Sequence, residues 1–251
     1  VLYNNFEEIN IFVFLQSLLN FKNQKISTRY ILTYILHVKP KIIISNIDNN
    51  LANYKLHKFF PNVKIIVIQN SRRIFTNDFG FKKKTQLNRL KKMNLKCDYF
   101  FYLSQRYLKE YQKFLNAKYI PSGSLKSNMF EITTKEGENI ILISQFNLDR
   151  IKKNDKDYLL AEKIVLKNLI TFCKSNNKLL QIFLRLGTKN EKKYFNSLID
   201  NNDFKIINFV WKKKIEDKFK FLDNSKLIVC LDSTLGYEMI ARKKRVLLLS
   251  F

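Results

Sequence analysis

Short apolar runs alternate with longer amphipathic stretches along most of this 251-residue chain. In the first half, the apolar runs predict buried strands at residues 41–45, 63–69, 99–103 and 118–121. The stretches around them predict helices at residues 27–38, 50–60, 81–93 and 104–115. Such alternation is typical of a parallel sheet covered by helices, because each parallel strand needs a crossover before the next.

The same alternation resumes in the second half after a polar break. The predicted strands lie at residues 139–144, 179–184, 204–209, 227–231 and 245–249. The predicted helices lie at residues 157–173, 190–199, 213–222 and 234–242. The break itself, residues 126–138, has no clear period and contains Gly137, which is typical of a linker.

These patterns predict an α/β fold of two Rossmann-like, doubly wound parallel-sheet domains that face each other across a cleft. We assign residues 1–126 to an N-terminal domain, residues 127–138 to a linker, and residues 139–251 to a C-terminal domain. Because the chain ends inside an apolar run, we expect the C-terminal domain to be truncated.

The formal net charge of +25 changes this picture little. Lys far outnumbers Arg, and Asn, Ile and Phe are heavily used, which is the composition that an AT-rich gene produces. Contact with an anionic membrane surface or an anionic substrate is the alternative explanation of the charge. We expect no nucleic acid partner.

Cysteine and histidine usage argues against disulfides and metal sites. The three Cys are far apart and odd in number, so they are expected to be reduced core residues. His37 and His57 share no metal-ligand spacing, and no apolar run is long enough to span a membrane. We therefore expect a cytoplasmic protein, with peripheral contact at the inner face of the cytoplasmic membrane as a further option.

Ligands of doubly wound folds bind beyond the carboxyl ends of the strands, which directs attention to the residues that follow each strand. In the second half, the segment from Asp232 to Glu238 follows an apolar strand. A helix that begins there offers unpaired N–H groups to a phosphate, and a carboxylate one turn later can accept a sugar hydroxyl. The alternative is an ordinary N-cap with a solvated Glu. Spacing alone leaves both open.

Arg185, which follows the strand at 179–184, could hold a diphosphate with two parallel hydrogen bonds. A surface ion pair is the alternative. In the first half, Asp48 could act as a base or bind an acceptor, or could simply cap a helix. The polar segment 69–73 could bind a sugar or an anionic acceptor, or it could be a plain basic turn. The Ser122-Gly123-Ser124 loop could approach a ligand closely, or it could be a tight turn into the linker.

Several motifs are missing, and their absence narrows the function. The chain has no Walker A loop and no GxGxxG, which argues against an ATPase and a dinucleotide-binding enzyme. It also has no GxSxG, which argues against an α/β-hydrolase.

Taken in chain order, several segments resemble one family, that of bacterial surface carbohydrate (polysaccharide) biosynthesis proteins. The matching segments are Ile-Asp-Asn-Asn at 47–50, Phe-Pro-Asn-Val-Lys at 60–64 with Ile-Gln-Asn at 68–70, Pro-Ser-Gly-Ser-Leu-Lys at 121–126, Ile-Ser-Gln-Phe at 143–146, and Asp-Ser-Thr-Leu-Gly-Tyr-Glu at 232–238. This family is similar to GT-B glycosyltransferases and to sugar-nucleotide 2-epimerases. The resemblance implies a nucleotide-sugar donor in the C-terminal domain and a glycan or lipid-linked acceptor in the N-terminal domain.

The resemblance also implies roles for individual residues. It makes Asp48 and Arg185 the catalytic candidates, with Arg185 neutralising the diphosphate leaving group. The donor-binding candidates are Asp232, Ser233, Thr234, Gly236, Glu238 and Gln145, and the acceptor-binding candidates are Asn49, Gln69, Asn70, Arg72 and Ser124. Ser71 departs from the family pattern, where Gly is expected, and so does Lys243, where Gly usually follows Ala-Arg.

The sequence therefore predicts a glycosyltransferase-like enzyme of surface polysaccharide biosynthesis that needs no metal and binds no cofactor besides its donor. A sugar-nucleotide epimerase or a polyol-phosphate transferase on the same fold is the enzymatic alternative. A non-catalytic basic module that binds anions or membranes is the alternative from another class.

Overall fold

The structure is a computed structural model. It describes residues 9–73, 75, 79, 84–133, 137–148, 151, 156–231 and 233–249, except for the side chains of residues 84–86 and 156. Contacts within the chain divide it into two compact units, with the division between Gly123 and Ser124. The predicted domain and linker boundaries stay a prediction. None of the helices in the described part of the chain is long and apolar enough to cross a membrane.

The first unit contains a parallel sheet whose strands follow chain order, β1-β2-β3-β4. The strands are β1 (Ile42–Ser45), β2 (Lys64–Ile68), β3 (Leu95–Tyr102) and β4 (Leu115–Pro121). The helices are α1 (Ile11–Leu19), α2 (Ile26–Val38), a 3₁₀ helix (Asn53–Lys58), α3 (Lys84–Lys92) and α4 (Gln105–Tyr111). Each strand was expected from its apolar run, although β1 forms an edge on which Ile42 and Ile44 are exposed rather than buried.

Side-chain hydrogen bonds explain two differences from the predicted elements of this unit. The expected helix at 50–60 is a 3₁₀ helix because the Asn53 amide bonds to Ser45 Oγ (2.8 Å) and to the Ile47 carbonyl (3.0 Å), which ties this turn to the end of β1. Strand β3 begins at Leu95, before the expected residue 99, because the Asp98 carboxylate accepts the Ile65 N–H at 2.7 Å and is thereby accommodated within the sheet.

The second unit contains a five-stranded parallel sheet with the order β7-β6-β5-β8-β9. Its strands are β5 (Ile140–Ile143), β6 (Leu180–Phe183), β7 (Ile207–Val210), β8 (Leu227–Cys230) and β9 (Val246–Leu248). Its helices are α5 (Leu125–Asn128), α6 (Lys156–Ser175), α7 (Lys189–Asn196), a 3₁₀ helix (Asn201–Ile206), α8 (Ile215–Asp223) and α9 (Thr234–Ala241).

The core of the second unit lies on both faces of its sheet. Ile140 and Leu142 pack into a cluster on one face, and Ile141 and Ile143 pack into a cluster on the other. All four residues of β5 are therefore buried, which is why the strand reads as an unbroken apolar run. The strand order reverses at β5, and this reversal makes the carboxyl ends of β5 and β8 the switch point of the sheet.

The predicted fold class is confirmed, because the chain is α/β with two parallel sheets of Rossmann-like construction. The reversal that defines a doubly wound sheet is seen in the second unit. In the described part of the first unit, the strand order runs in one direction only.

Candidate functional site

The carboxyl edge of the second sheet gathers most of the residues predicted to bind a donor. Gln145 lies just beyond β5, Arg185 just beyond β6, and Ser233 at the start of α9 beyond β8. Because β5 pairs with both β6 and β8, these three positions are neighbours along one edge. Asp232, which belongs to the same predicted set, lies outside the described residues.

Glu238 is the most unusual group at this edge. It lies in α9 with only 9% of its surface exposed, and its carboxylate accepts a hydrogen bond from the Ser124 hydroxyl. Burial raises the pKa of this carboxyl above its ordinary value, while the Ser124 hydrogen bond and the charges of Lys126 and Arg242 act in the opposite direction. Such a buried carboxylate with a perturbed pKa is typical of a functional site.

The first turn of α9 offers backbone donors beside Glu238. Ser233 occupies the N-cap position, and within the described residues its side chain makes no capping hydrogen bond. The N-terminus of a helix carries the positive end of its dipole, and in α9 this end lies directly after Ser233. The predicted contact of Ser233 and Thr234 with donor phosphates stays a prediction.

Gly236 has a packing role in this helix. A side chain at this position would collide with the Sγ of Cys230 and would lie 3.2 Å from Leu248. The glycine thus allows α9 to lie close against β8, which fixes where the N-terminus of the helix points. Its predicted contact with the donor phosphates stays a prediction.

A buried arginine at the end of α9 holds the segment that follows Ser124. Arg242 pairs with the buried Asp223, with 2.9 Å between Arg242 Nε and Asp223 Oδ1. It also donates to the carbonyls of Ser127 (2.9 Å), Phe130 (3.0 Å) and Glu131 (2.7 Å). Sequence reasoning missed the contacts of this residue, because its carbonyl partners lie more than 100 positions away and Asp223 lies 19 positions away, so none of them leaves a local pattern.

Arg185 is exposed, but the loop that carries it is firmly held. The buried carboxylate of Glu191 in α7 accepts the N–H groups of Arg185 (2.7 Å), Leu186 (2.8 Å) and Gly187 (2.8 Å). It also accepts the hydroxyl of Ser144 at the end of β5. The Arg185 guanidinium is left at the surface, 3.5 Å from the Phe146 carbonyl.

Glu191 was also missed from the sequence, although a signal for it exists. It stands three residues after Thr188, in the Ser/Thr-x-x-Glu spacing of a capping box, and its N–H bonds to Thr188 Oγ1 at 3.3 Å. In the structure its carboxylate reaches further back than a capping box requires and orders the preceding loop.

Gln145 is half-buried and is held through its backbone. Its N–H lies 3.4 Å from the carboxylate of Glu162, and its carbonyl accepts the Tyr158 hydroxyl at 3.3 Å. Glu162 is itself buried and accepts the Tyr194 hydroxyl at 2.6 Å. The amide of Gln145 is thus carried by a fixed backbone at the switch point.

In the first unit, Asp48 lies at the centre of a buried polar cluster. Its carboxylate is fully buried and accepts Arg73 Nε (2.6 Å), Arg73 Nη2, the Asn70 N–H (3.2 Å) and the Tyr111 hydroxyl. Burial and the neighbouring Asp48 charge raise the pKa of Tyr111, so its hydroxyl stays a donor. In this conformation the carboxylate joins the ends of β1 and β2 and has no exposed surface to offer an acceptor.

The other residues predicted to bind the acceptor differ in their burial and in their hydrogen bonds. Gln69 is buried and bonds to the Leu103 N–H and the Ser71 carbonyl, both at 3.0 Å, while Asn70 accepts Arg73 Nη2 at 2.7 Å. Asn49 is exposed and Arg72 is half-buried. Ser124 lies in the second unit and donates to Glu238, and its predicted contact with the acceptor stays a prediction.

Neither of two sizeable cavities coincides with these predicted residues. A cavity of about 360 Å³ lies where β3 and β4 begin, lined by residues such as Leu95 and Leu115. Another of about 340 Å³ lies beside Arg242 and the segment 127–132. The described residues also contain no group of three or more His, Cys, Asp or Glu that could hold a metal ion.

Many solved structures resemble the fold of this chain, and two of them illustrate the likeness. The S. aureus MnaA–UDP complex matches 98% of this chain and 63% of its own, with a TM-score of 0.51 and 13% identity. A "putative UDP-N-acetylglucosamine 2-epimerase" from Listeria monocytogenes matches 88% of this chain and 60% of its own, with a TM-score of 0.51 and 11% identity. The chain thus spans less than two thirds of the length of either structure, and likeness at this identity shows the fold alone.

Comparison of the sequence with curated proteins and with protein-family models shows the family of this chain. None of the curated proteins matches the chain. The family described as "putative O-antigen biosynthesis protein" matches residues 66–251, which contain the end of β2, all of β3 to β9 and every donor candidate. The match covers about three quarters of the sequence and confirms the resemblance to surface polysaccharide biosynthesis proteins, so the chain belongs to this family of O-antigen biosynthesis proteins.

Proposed function

We propose that this protein is a glycosyltransferase of O-antigen assembly that moves a sugar from a nucleotide-sugar donor to a glycan or lipid-linked acceptor. The donor would bind at the carboxyl edge of the second sheet. Family membership supports the biosynthetic process, and the chemistry of this edge supports the choice of donor.

The observation that carries the proposal is the buried carboxylate of Glu238, which accepts the hydroxyl of the half-buried Ser124 beside the start of α9. Removing a carboxylate from water costs stability unless hydrogen bonds or opposite charges compensate it, and a polar ligand can add such partners. This carboxylate lies in the first turns of a helix at a switch point, where ligands of such sheets bind. A sugar hydroxyl can replace or join the Ser124 hydroxyl as its donor. The adjacent helix start would then receive the phosphates of the same ligand.

Arg185 completes the arrangement as the group that faces the leaving diphosphate. It extends from a loop that Glu191 holds in place, so little reorganisation is needed when negative charge develops. A guanidinium and helix N–H groups can supply that stabilisation without a metal ion. We accordingly keep Arg185 as a catalytic residue of this proposal and keep metal independence as part of it.

The role of Asp48 in the proposal is one of positioning. Its carboxylate joins the loop that carries the exposed Asn49 to the loop that carries Arg72. These two side chains would contact the acceptor, while Asp48, Gln69 and Asn70 hold the loops. Peripheral contact with an anionic membrane would bring the enzyme to lipid-linked acceptors.

The first experiment measures donor binding by isothermal titration calorimetry with UDP-, GDP- and CMP-sugars, with and without EDTA. We expect one class of nucleotide sugar to bind in EDTA. Glu238→Gln, which keeps the shape but loses the charge, should weaken binding about 10- to 100-fold, as expected for hydrogen bonds to a charged acceptor. Glu216→Gln is the matched control, because Glu216 is exposed on α8 and pairs with Lys220.

The second experiment measures the reaction itself. Purified protein is incubated with the bound donor and a membrane extract that contains lipid-linked glycans. Release of the donor's nucleotide (UDP, GDP or CMP) that depends on the extract supports a transferase. Conversion of the donor sugar without any acceptor would identify an epimerase instead, and failure of every donor to bind would reject the proposal.

A further inference from the structure

Trp211 lies at the carboxyl edge of the second sheet and has no role in the functions considered so far. It is the only tryptophan of the chain. It follows β7 directly, and 45% of its surface is exposed. The Leu184 N–H bonds to the Val210 carbonyl at 2.8 Å, so β6 and β7 end together and Trp211 stands beside the loop of Arg185.

The indole ring packs against Gly187 in that loop. Gly187 has a φ of +68°, and a carbon attached to its Cα would lie 2.5–2.6 Å from three carbons of the Trp211 ring. Only glycine permits both the left-handed backbone and the contact. The ring therefore packs against the Gly187 backbone, while 45% of the Trp211 surface stays exposed.

The loop against which the ring packs is held in place by a buried carboxylate. Glu191 accepts the Gly187 N–H and the two N–H groups before it, and it is completely buried. An exposed tryptophan on a mobile loop would be unremarkable. Here the ring has a fixed position at the edge where ligands of such sheets bind, which favours a binding role.

The distance along the sheet fits one class of ligand. From β8, where α9 begins, the sheet continues through β5 and β6 to β7, so three strand spacings give about 14 Å. Arg185 on the β6 side lies between the two ends. A nucleoside diphosphate has charged phosphates at one end and a flat aromatic base at the other, separated by a ribose, and in an extended form it has this length.

We propose that Trp211 is the stacking platform for the nucleobase of the donor. The inference rests on the proposed function, since the phosphates and ribose would occupy the site of α9, Arg185 and Glu238. Every base has an aromatic face, so the platform binds the base without choosing among bases. Base selection would then come from other contacts, and the platform would raise affinity for nucleotides in general.

The uniqueness of Trp211 allows a direct test by fluorescence. Tryptophan emission of the intact chain is recorded while UDP, GDP or inorganic pyrophosphate is added, and binding is measured in parallel by calorimetry. We expect a nucleotide that binds to change the emission with the same dissociation constant that calorimetry gives. Pyrophosphate, which has no base, should bind without this change.

Variants provide the second readout. Trp211→Ala should weaken nucleotide binding about 5- to 150-fold and leave pyrophosphate binding unchanged, whereas Trp211→Phe should retain most of the affinity. Phe204→Ala is the matched control, because Phe204 is an exposed aromatic residue at the opposite end of β7. Circular dichroism confirms that each variant is folded.

The outcomes separate the two proposals. If a nucleotide binds but the emission does not change and Trp211→Ala binds it normally, the stacking role is overturned and the proposed function stands. An equal response to pyrophosphate also overturns the stacking role, because the ring would then sense the phosphates. If no nucleotide binds in calorimetry, the proposed function fails and the stacking role fails with it.

Discussion

Replacing Arg242 by Met tests how the second unit is held together. The change keeps a long side chain but removes the guanidinium that pairs with Asp223 and binds three backbone carbonyls. Both partners of the ion pair are almost completely buried, with 3% of the Arg242 side chain and none of the Asp223 side chain exposed. The variant therefore leaves a buried carboxylate without its counter-charge.

The expected loss follows from that burial. Removing one partner of a buried ion pair typically costs about 3–5 kcal/mol, because the remaining charge is buried without compensation. A domain of this size has a free energy of unfolding of about 5–15 kcal/mol, so the loss is a large fraction of the total. Adding Asp223→Asn removes the uncompensated charge and should restore at least about 1 kcal/mol of the loss.

Equilibrium unfolding in urea measures these values. Trp211 lies in the second unit and is the only tryptophan, so its emission follows the unfolding of that unit alone. Arg242→Lys keeps the charge but not the fork of donors, and we expect it to lose most of the same stability. A loss below about 1 kcal/mol for Arg242→Met, the range of exposed ion pairs, would refute the buried pairing.

Three further predictions concern the candidate site. Glu191→Gln keeps one amide oxygen in place of a carboxylate that accepts three N–H groups, and it should lower the free energy of unfolding in urea by about 1–3 kcal/mol. Burial raises the pKa of Glu238 above its unfolded value, so the folded state holds the proton more tightly and stability falls as pH rises through the raised pKa. Glu238→Gln should therefore gain stability relative to the wild type between pH about 4 and neutrality, and a pH-independent difference in urea unfolding would contradict this. Gly236→Ala should lower the melting temperature because its methyl group meets Cys230, and Cys230→Ala should relieve that loss if the collision is its cause.

Local patterns in the sequence identify the elements well where one interaction dominates. The run at 139–144 predicts β5 because every side chain of that strand is buried. The run at 41–45 predicts β1 but also predicts burial, and burial depends on which strand stands at the edge of the sheet. Strand order is set by packing between elements. Apolar runs alone therefore do not show that the strands of the first sheet follow chain order while the order in the second sheet reverses at β5.

The candidate site shows the same division between local and distant causes. Glu238 and Arg185 are found from the sequence because each follows a strand, a relation that lies within a few residues. The partner of Glu238 is Ser124, 114 positions away, and the hydrogen bond of Tyr111 to Asp48 spans 63 positions. Such pairs form only when the sheet brings loops together, and a single sequence carries no spacing that reveals them.

The division of the chain between Gly123 and Ser124 has a practical consequence for dissecting it. If the second unit is prepared alone from residue 139 onward, it loses Ser124 and the carbonyls of Ser127, Phe130 and Glu131. Glu238 and Arg242 would then be left with buried charge and missing partners. A separate second unit should therefore begin before Ser124, because a preparation that begins later would lack contacts that stabilise the candidate site.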